Sequence, residues 1–146
     1  MSVDGDPTKA NHAFVRFDVS SIPAGSTVTN ADLRLCFSSN PGGAQGRIHE
    51  LRRLTSDWTE TGVTWNNEPS VSATVTDTIT VPSGAQCVFF AVTADVQAWV
   101  DGAPNYGWRV NDQDEVTPGG SVTAYATREY GVAGQRPQLV VPYTPP

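Results

Sequence analysis

In the segment DWTETGVTWNNEP, residues 57–69, Trp58 and Trp65 bracket a polar turn, and Asn66, Asn67 and Glu68 follow directly. An indole face can pack on the C–H face of a pyranose while neighbouring amides and a carboxylate hydrogen-bond its hydroxyls, so these residue types suit a sugar site. The same residues also have a structural reading. Trp65 continues an alternation from Val63 and is expected to point into a core, and the Asn pair is expected to form side-chain turns ahead of Pro69. Trp58 fits either reading. A second aromatic group, AWVDGAPNYGWRV (residues 98–110), sets Trp99, Tyr106 and Trp108 around a turn in a chain with only four tryptophans. Asp101 and Asn105 favour the turn, Pro104 fixes its backbone and Gly107 permits close approach. This loop is expected to shape one end of the fold, with Tyr106 at the rim and Trp108 inside.

The charged groups offer weaker chemistry. Asn111, Asp112, Asp114 and Glu115 crowd oxygen ligands that could hold Ca²⁺, without the spacing or the glycine of an EF-hand loop; a solvated acidic turn is the expected form. Asp57, Glu60 and Glu68 could supply paired carboxylates for glycoside hydrolysis, yet their crowding in one turn reads as polar surface. The two histidines, His12 and His49, lie in no His-x-x-His motif, the chain has no Gly-x-Ser-x-Gly elbow, and His49 sits inside an alternating run. No catalytic residue is assigned, and the chain is read as non-enzymatic. In TREYGVAGQRPQLVV, residues 127–141, Arg128 is expected either to pair with Asp112 or Asp114 or, with Arg136, to read a uronate carboxylate. Tyr130 adds another ring.

A chain of 146 residues is large enough to bury its own core and is expected to form one domain. Nine Lys and Arg against fifteen Asp and Glu give a net charge of -6, which argues against nucleic acid because the basic stripe that phosphates require is missing. No run of about 18 apolar residues exists to span a membrane. The opening MSVDGDPTKA is acidic and polar with no apolar h-region, so a secretory signal is expected either to be unused or to lie ahead of this stretch. Cys36 and Cys87 sit in apolar, strand-like runs, LRLCF and QCVFF. A disulfide between them would close a loop of about 50 residues, add roughly 4 kcal/mol and imply an oxidising compartment; two separate buried thiols are the alternative.

Period-two patterns must position these groups. Residues 13–19 (AFVRFDV) alternate Val15, Phe17 and Val19 against Arg16 and Asp18, and residues 31–37 (ADLRLCF) alternate Leu33, Leu35 and Phe37 against Asp32, Arg34 and Cys36. Further strands are expected in 46–54, 73–81, 86–92, 106–110, 121–127 and 137–143, joined by turns rich in Pro, Gly, Ser and Asn such as SSNPGGAQ and TPGG. Eight or so short strands at this spacing read as an all-β sandwich. One segment differs: TADVQAWVDG repeats Val96, Trp99 and Val100 at helical spacing. Thr93 is placed to N-cap and Gly102 to take a left-handed end, so a short helix is expected near residues 93–101 with Trp99 facing the core.

The blocks FVRFDVSSIPAGSTVTNADLRL, WTETGVTWNNEP, VTADVQAWVDGAPNYGWRV and YATREYGVAGQRPQLVVPY follow in an order that resembles bacterial DNRLRE domains, which overlap with the carbohydrate-binding modules of family 96, some of them alginate binders. Arg128 with Glu129 matches an Arg-Glu pair of that pattern. The resemblance implies a jelly-roll-like β-sandwich, in secreted or cell-surface proteins, acting as a non-catalytic module that binds a polysaccharide or surface glycan. The residues that would carry such binding are Trp58, Asn66, Asn67, Glu68, Tyr106, Arg128 and Tyr130. Two departures stand out. Family members carry about one strand and a loop ahead of the segment matching VDGDPTKANHAFVRF, so an open sheet edge is expected near AFVRFDV or PQLVVPY unless SVDGDPT folds back over it. Such an edge would suit self-association or strand addition, giving an alternative role as a structural or adhesive subunit of a surface assembly, a viral one included. The acidic balance also sits poorly with a polyanionic ligand.

Overall fold

The computed structural model describes residues 1–39, 41–116 and 122–146. Asn40, the expected turn TPGG and Ser121, expected to open a strand, lie outside them. In chain order the elements are β1 (Ser2–Val3), β2 (Ala13–Val15), β3 (Thr27–Val28), β4 (Asp32–Cys36), β5 (Ile48–Arg53), β6 (Asp77–Thr80), β7 (Cys87–Ala91), helix α1 (Thr93–Val100), β8 (Trp108–Asp112), β9 (Thr123–Ala124), β10 (Gln138–Val140) and β11 (Tyr143–Thr144). All pairings are antiparallel. A four-stranded sheet in the order β2-β8-β5-β6 shares one core with a three-stranded sheet β10-β4-β7, and β1-β9 and β11-β3 form two further two-stranded pairs. The all-β sandwich with one short helix is what the alternating runs demand.

The register explains which residues form the core. Ala13 and Val15 oppose Val110 and Trp108, and Leu51 opposes Val110 from the other side, so one face of the larger sheet is apolar. Across the gap, Leu33 opposes both Phe90 and Leu139. All of these but the partly buried Leu139 are buried in one contiguous cluster. Cys36 opposes Cys87 directly, with sulfurs bonded at 2.05 Å. The disulfide is therefore present, as expected, and Cys36 is buried although it lies on the less apolar face of its strand.

Helix α1 closes one end. Trp99 is buried against Trp108, ring centroids 4.5 Å apart, and Asp95 accepts the Trp108 indole N–H at 2.8 Å. Gly102 takes the expected left-handed conformation, φ 101°. Thr93 does not cap the helix: it is the first helical residue, with Val92 in the cap position, and its hydroxyl accepts the Ala31 amide at 2.9 Å instead. The amide that needed a partner belongs to another segment, which helical periodicity does not reveal.

The acidic run also departs from expectation. Asn111 and Asp112 are not a solvated turn but the buried end of β8. Asp112 accepts a bidentate pair from Arg47, and Asn111 donates to Glu50 at 3.1 Å. Burial is tolerated here because both carboxylates and the Asn111 amide N–H are hydrogen-bonded, while Asn111 Oδ1 is buried without a partner.

Candidate functional site

Among the described residues, strand β2 is the edge of the larger sheet, hydrogen-bonded to β8 on one side. Because side chains alternate along a strand, burying Ala13 and Val15 turns His12, Phe14 and Arg16 to the outer face. Over that face folds the loop between β5 and β6. Its base is pinned by the Leu54–Val71 bridge and by the Thr55 amide donating to Ser70 at 2.8 Å. Its tip is shaped by a turn in which Gly62 and Val63 donate to the Thr59 carbonyl. Thr64 and Asn67 form a reciprocal capping box around a short 3-10 turn, Trp65–Asn67.

A cleft of about 420 Å³ runs along the free edge of β2. Phe14, Phe17, Trp58 and Val63 give it apolar walls, while Arg16, Glu60 and Arg128 supply charge and Thr127 and Pro137 also border it. Trp58 is fixed rather than free. Its ring lies 5.5 Å from Phe14 and 5.4 Å from the Arg16 guanidinium, and its indole N–H donates to the Tyr106 carbonyl at 2.8 Å. Arg16 in turn donates to Asp57 at 2.7 Å, and that bond holds the Asp57 carboxyl below the usual range. A neighbouring hollow of about 270 Å³ shares Trp58 and Val63 and is bordered by Asp57, Thr59, Gly62 and Asn67.

A polar cluster centred on His12, which also lines the cleft, ties the loop to the sheet. Glu68 accepts from Arg109 at 2.8 Å and lies 2.6 Å from His12 Nδ1, while His12 Nε2 lies 2.8 Å from Glu115. The His12 side chain is only 6% exposed. Trp65 covers it, ring centroids 5.2 Å apart, yet is itself 62% exposed. The expectation of a core Trp65 is therefore wrong: the 3-10 turn at Trp65–Asn67 breaks the period-two pattern that would have carried it inward.

Of the seven expected binding residues, the fold brings Trp58 and Arg128 into the cleft. Glu68 is outside the lining but bonded to His12, which lines it; Asn67 borders the hollow with its side chain tied to Thr64 and Gly62, and Asn66 is exposed. Tyr106 and Tyr130 are half-buried and outside the cleft lining; the Tyr130 hydroxyl donates to the Ser38 carbonyl at 3.1 Å. Arg128 does not meet Asp112 or Asp114 but pairs with Glu60 at 3.0 Å and Glu129 at 3.3 Å. Asp112 is already bonded to Arg47, so the expected partner was taken.

Phe14 and Arg16 are not among the expected binding residues, and Glu60 was expected only as one of three carboxylates crowded in a polar turn. Phe14 carried a signal, since a large apolar residue falls there on the same strand face as Arg16, out of phase with the core set. Of the set Asn111, Asp112, Asp114 and Glu115, the side chains of Asn111, Asp112 and Glu115 face Glu50, Arg47 and His12. Among the described residues, no group of three or more His, Cys, Asp or Glu is placed to hold a metal ion.

An aromatic wall flanked by fixed donors and acceptors can receive a pyranose ring on its C–H face and its hydroxyls at the rim. No match is found among curated proteins. The model of Carbohydrate-binding module family 96 matches residues 1–143, nearly the whole chain, and the chain belongs to that family.

Proposed function

We propose that this domain binds a polysaccharide or cell-surface glycan in the cleft along β2, outside the cell and without catalysing a reaction. The observation that carries the reading is Trp58, held rigidly by Phe14, Arg16 and the Tyr106 carbonyl while lining a cleft with Glu60 and Arg128. A ring fixed in advance loses little entropy on binding. The carboxylates support binding over hydrolysis. Asp57, Glu60 and Glu68 each face a guanidinium, and Asp57 is pushed down, opposite to the raised pKa a general acid requires. The Cys36–Cys87 disulfide agrees with an oxidising, extracellular setting.

A glycan array with the wild-type chain and Trp58→Ala tests this. We expect at least one glycan signal that the substitution abolishes; a wild-type signal unchanged in Trp58→Ala would refute the placement of the site. A second reading, subunit of a surface assembly, is favoured by one observation: β2 and β10 are both edge strands, and the folded-back segment of β1 pairs with β9 instead of either. Strand addition there would show as concentration-dependent mass in light scattering, and a strict monomer would end it.

A further inference from the structure

We propose that Trp65 forms a second stacking subsite beside the cleft, so that the domain grips a run of several sugars in one chain rather than a single unit. The inference rests on the reading of the cleft as the glycan site. Of the four tryptophans, Trp99 and Trp108 are buried and Trp58 is half-buried, while Trp65 is 62% exposed. Leaving so large a ring in water loses the hydrophobic stabilisation that burial would provide. The ring is nonetheless held in place. One side rests on His12, centroids 5.2 Å apart, and His12 is itself fixed between Glu68 at 2.6 Å and Glu115 at 2.8 Å. The Thr64–Asn67 capping box sets the backbone around the ring, and the Asn67 amide donates to the Gly62 carbonyl at 2.8 Å. The fold thus presents a fixed indole to solvent.

Its position continues the cleft. Residues 12–17 line the cleft in sequence, and Trp65 packs on His12, the first of that run, whereas Trp58 packs on Phe14 and Arg16 further along. Val63 lines the cleft two residues before Trp65, and Asn67 borders the adjoining hollow two residues after it. The contacts of the two rings are two to four residues apart along the strand, about 7–13 Å at roughly 3.3 Å per residue. One pyranose cannot reach across that span, but a short oligosaccharide can. A chain stacked on Trp58 and running toward His12 meets Trp65 next. Once one ring is engaged, the second contact is made within the same complex, so affinity grows with chain length until both rings are covered.

NMR titration of the isotope-labelled intact chain tests this, with the disaccharides and hexasaccharides of mannan, xylan and polymannuronate as probes and the indole N–H signals as readout. At least one hexasaccharide is expected to shift the signals of both Trp58 and Trp65 and to bind about tenfold more tightly than its disaccharide. Trp65→Ala should weaken the hexasaccharide about tenfold while leaving the disaccharide within about twofold, and Trp65→Phe should restore most of the loss. Trp58→Ala should weaken both lengths. A hexasaccharide that needs Trp58 but binds Trp65→Ala as tightly as wild type overturns the second subsite and leaves the glycan site standing. Equal losses for both lengths in Trp65→Ala also overturn it, because the ring then serves only the shape of the cleft. Shifts from none of the probes, or binding indifferent to Trp58→Ala, overturn the site and the subsite together.

Discussion

Lowering the pH from neutrality to about 4 should cost the folded chain about 3 kcal/mol through His49 alone. His49 lies in β5 with its side chain fully buried, and its Nδ1 sits 2.8 Å from the Tyr125 hydroxyl. Burial also pushes the Tyr125 phenol well up, so it keeps its proton and can donate to that nitrogen. The neutral imidazole then carries its proton on Nε2, which faces Asp112 at 3.9 Å, too far for a hydrogen bond. Desolvation dominates, with the Asp112 charge opposing it, and the imidazole is pushed down from 6.5 to about 4. In the unfolded chain His49 takes a proton near pH 6.5; in the folded chain it does so only near 4. Between those values the unfolded state binds more protons, so stability is full above about 6.5 and falls as the pH drops toward 4. A shift of this size, at about 1.4 kcal/mol per unit, gives the stated figure.

The assay is urea unfolding followed by tryptophan fluorescence across this range, for wild type and His49→Gln, which keeps a polar group near Tyr125. Carboxylates titrate in both proteins and cancel in the difference. The difference curve should be flat above pH 7 and fall by about 3 kcal/mol by pH 4. Parallel pH profiles for the two proteins would refute the reasoning.

Removing the disulfide by Cys36→Ala with Cys87→Ala should lower stability by about 4 kcal/mol, because the bridge closes a sequence separation of 51, and matched denaturant midpoints will measure it. Gly107→Ala should cost at least about 2 kcal/mol by thermal melting, since φ is 80° and a Cβ would sit 2.2 Å from the Val15 carbonyl. It should also weaken glycan binding, because the displaced segment is β2. Trp65→Ala should change stability by under about 1 kcal/mol, whereas Trp108→Ala should cost about 3–5 kcal/mol; comparable losses for both would place Trp65 back in the core.

Strands and the helix were legible in the chain itself because their periods are properties of the local backbone. Leu33 and Leu35 in β4, Val88 and Phe90 in β7, and Val96, Trp99 and Val100 in α1 announce by spacing alone which side is buried. Gly102 could be placed for the same reason, since the left-handed end of a helix favours a residue without Cβ. The cleft follows a different logic. Phe14, Trp58 and the pair Arg128 and Pro137 come from three distant stretches, and no local period records that a loop folds over the edge of β2. Ion-pair partners escape the sequence likewise: a carboxylate near Arg128 in the chain carries no more signal than Glu60, and Asp112 was removed from the choice by Arg47. Trp65 was misread because alternation holds only while the backbone stays extended, and a 3-10 turn ended it there. What the backbone repeats, the sequence determines; what long-range packing brings together, only the tertiary structure decides.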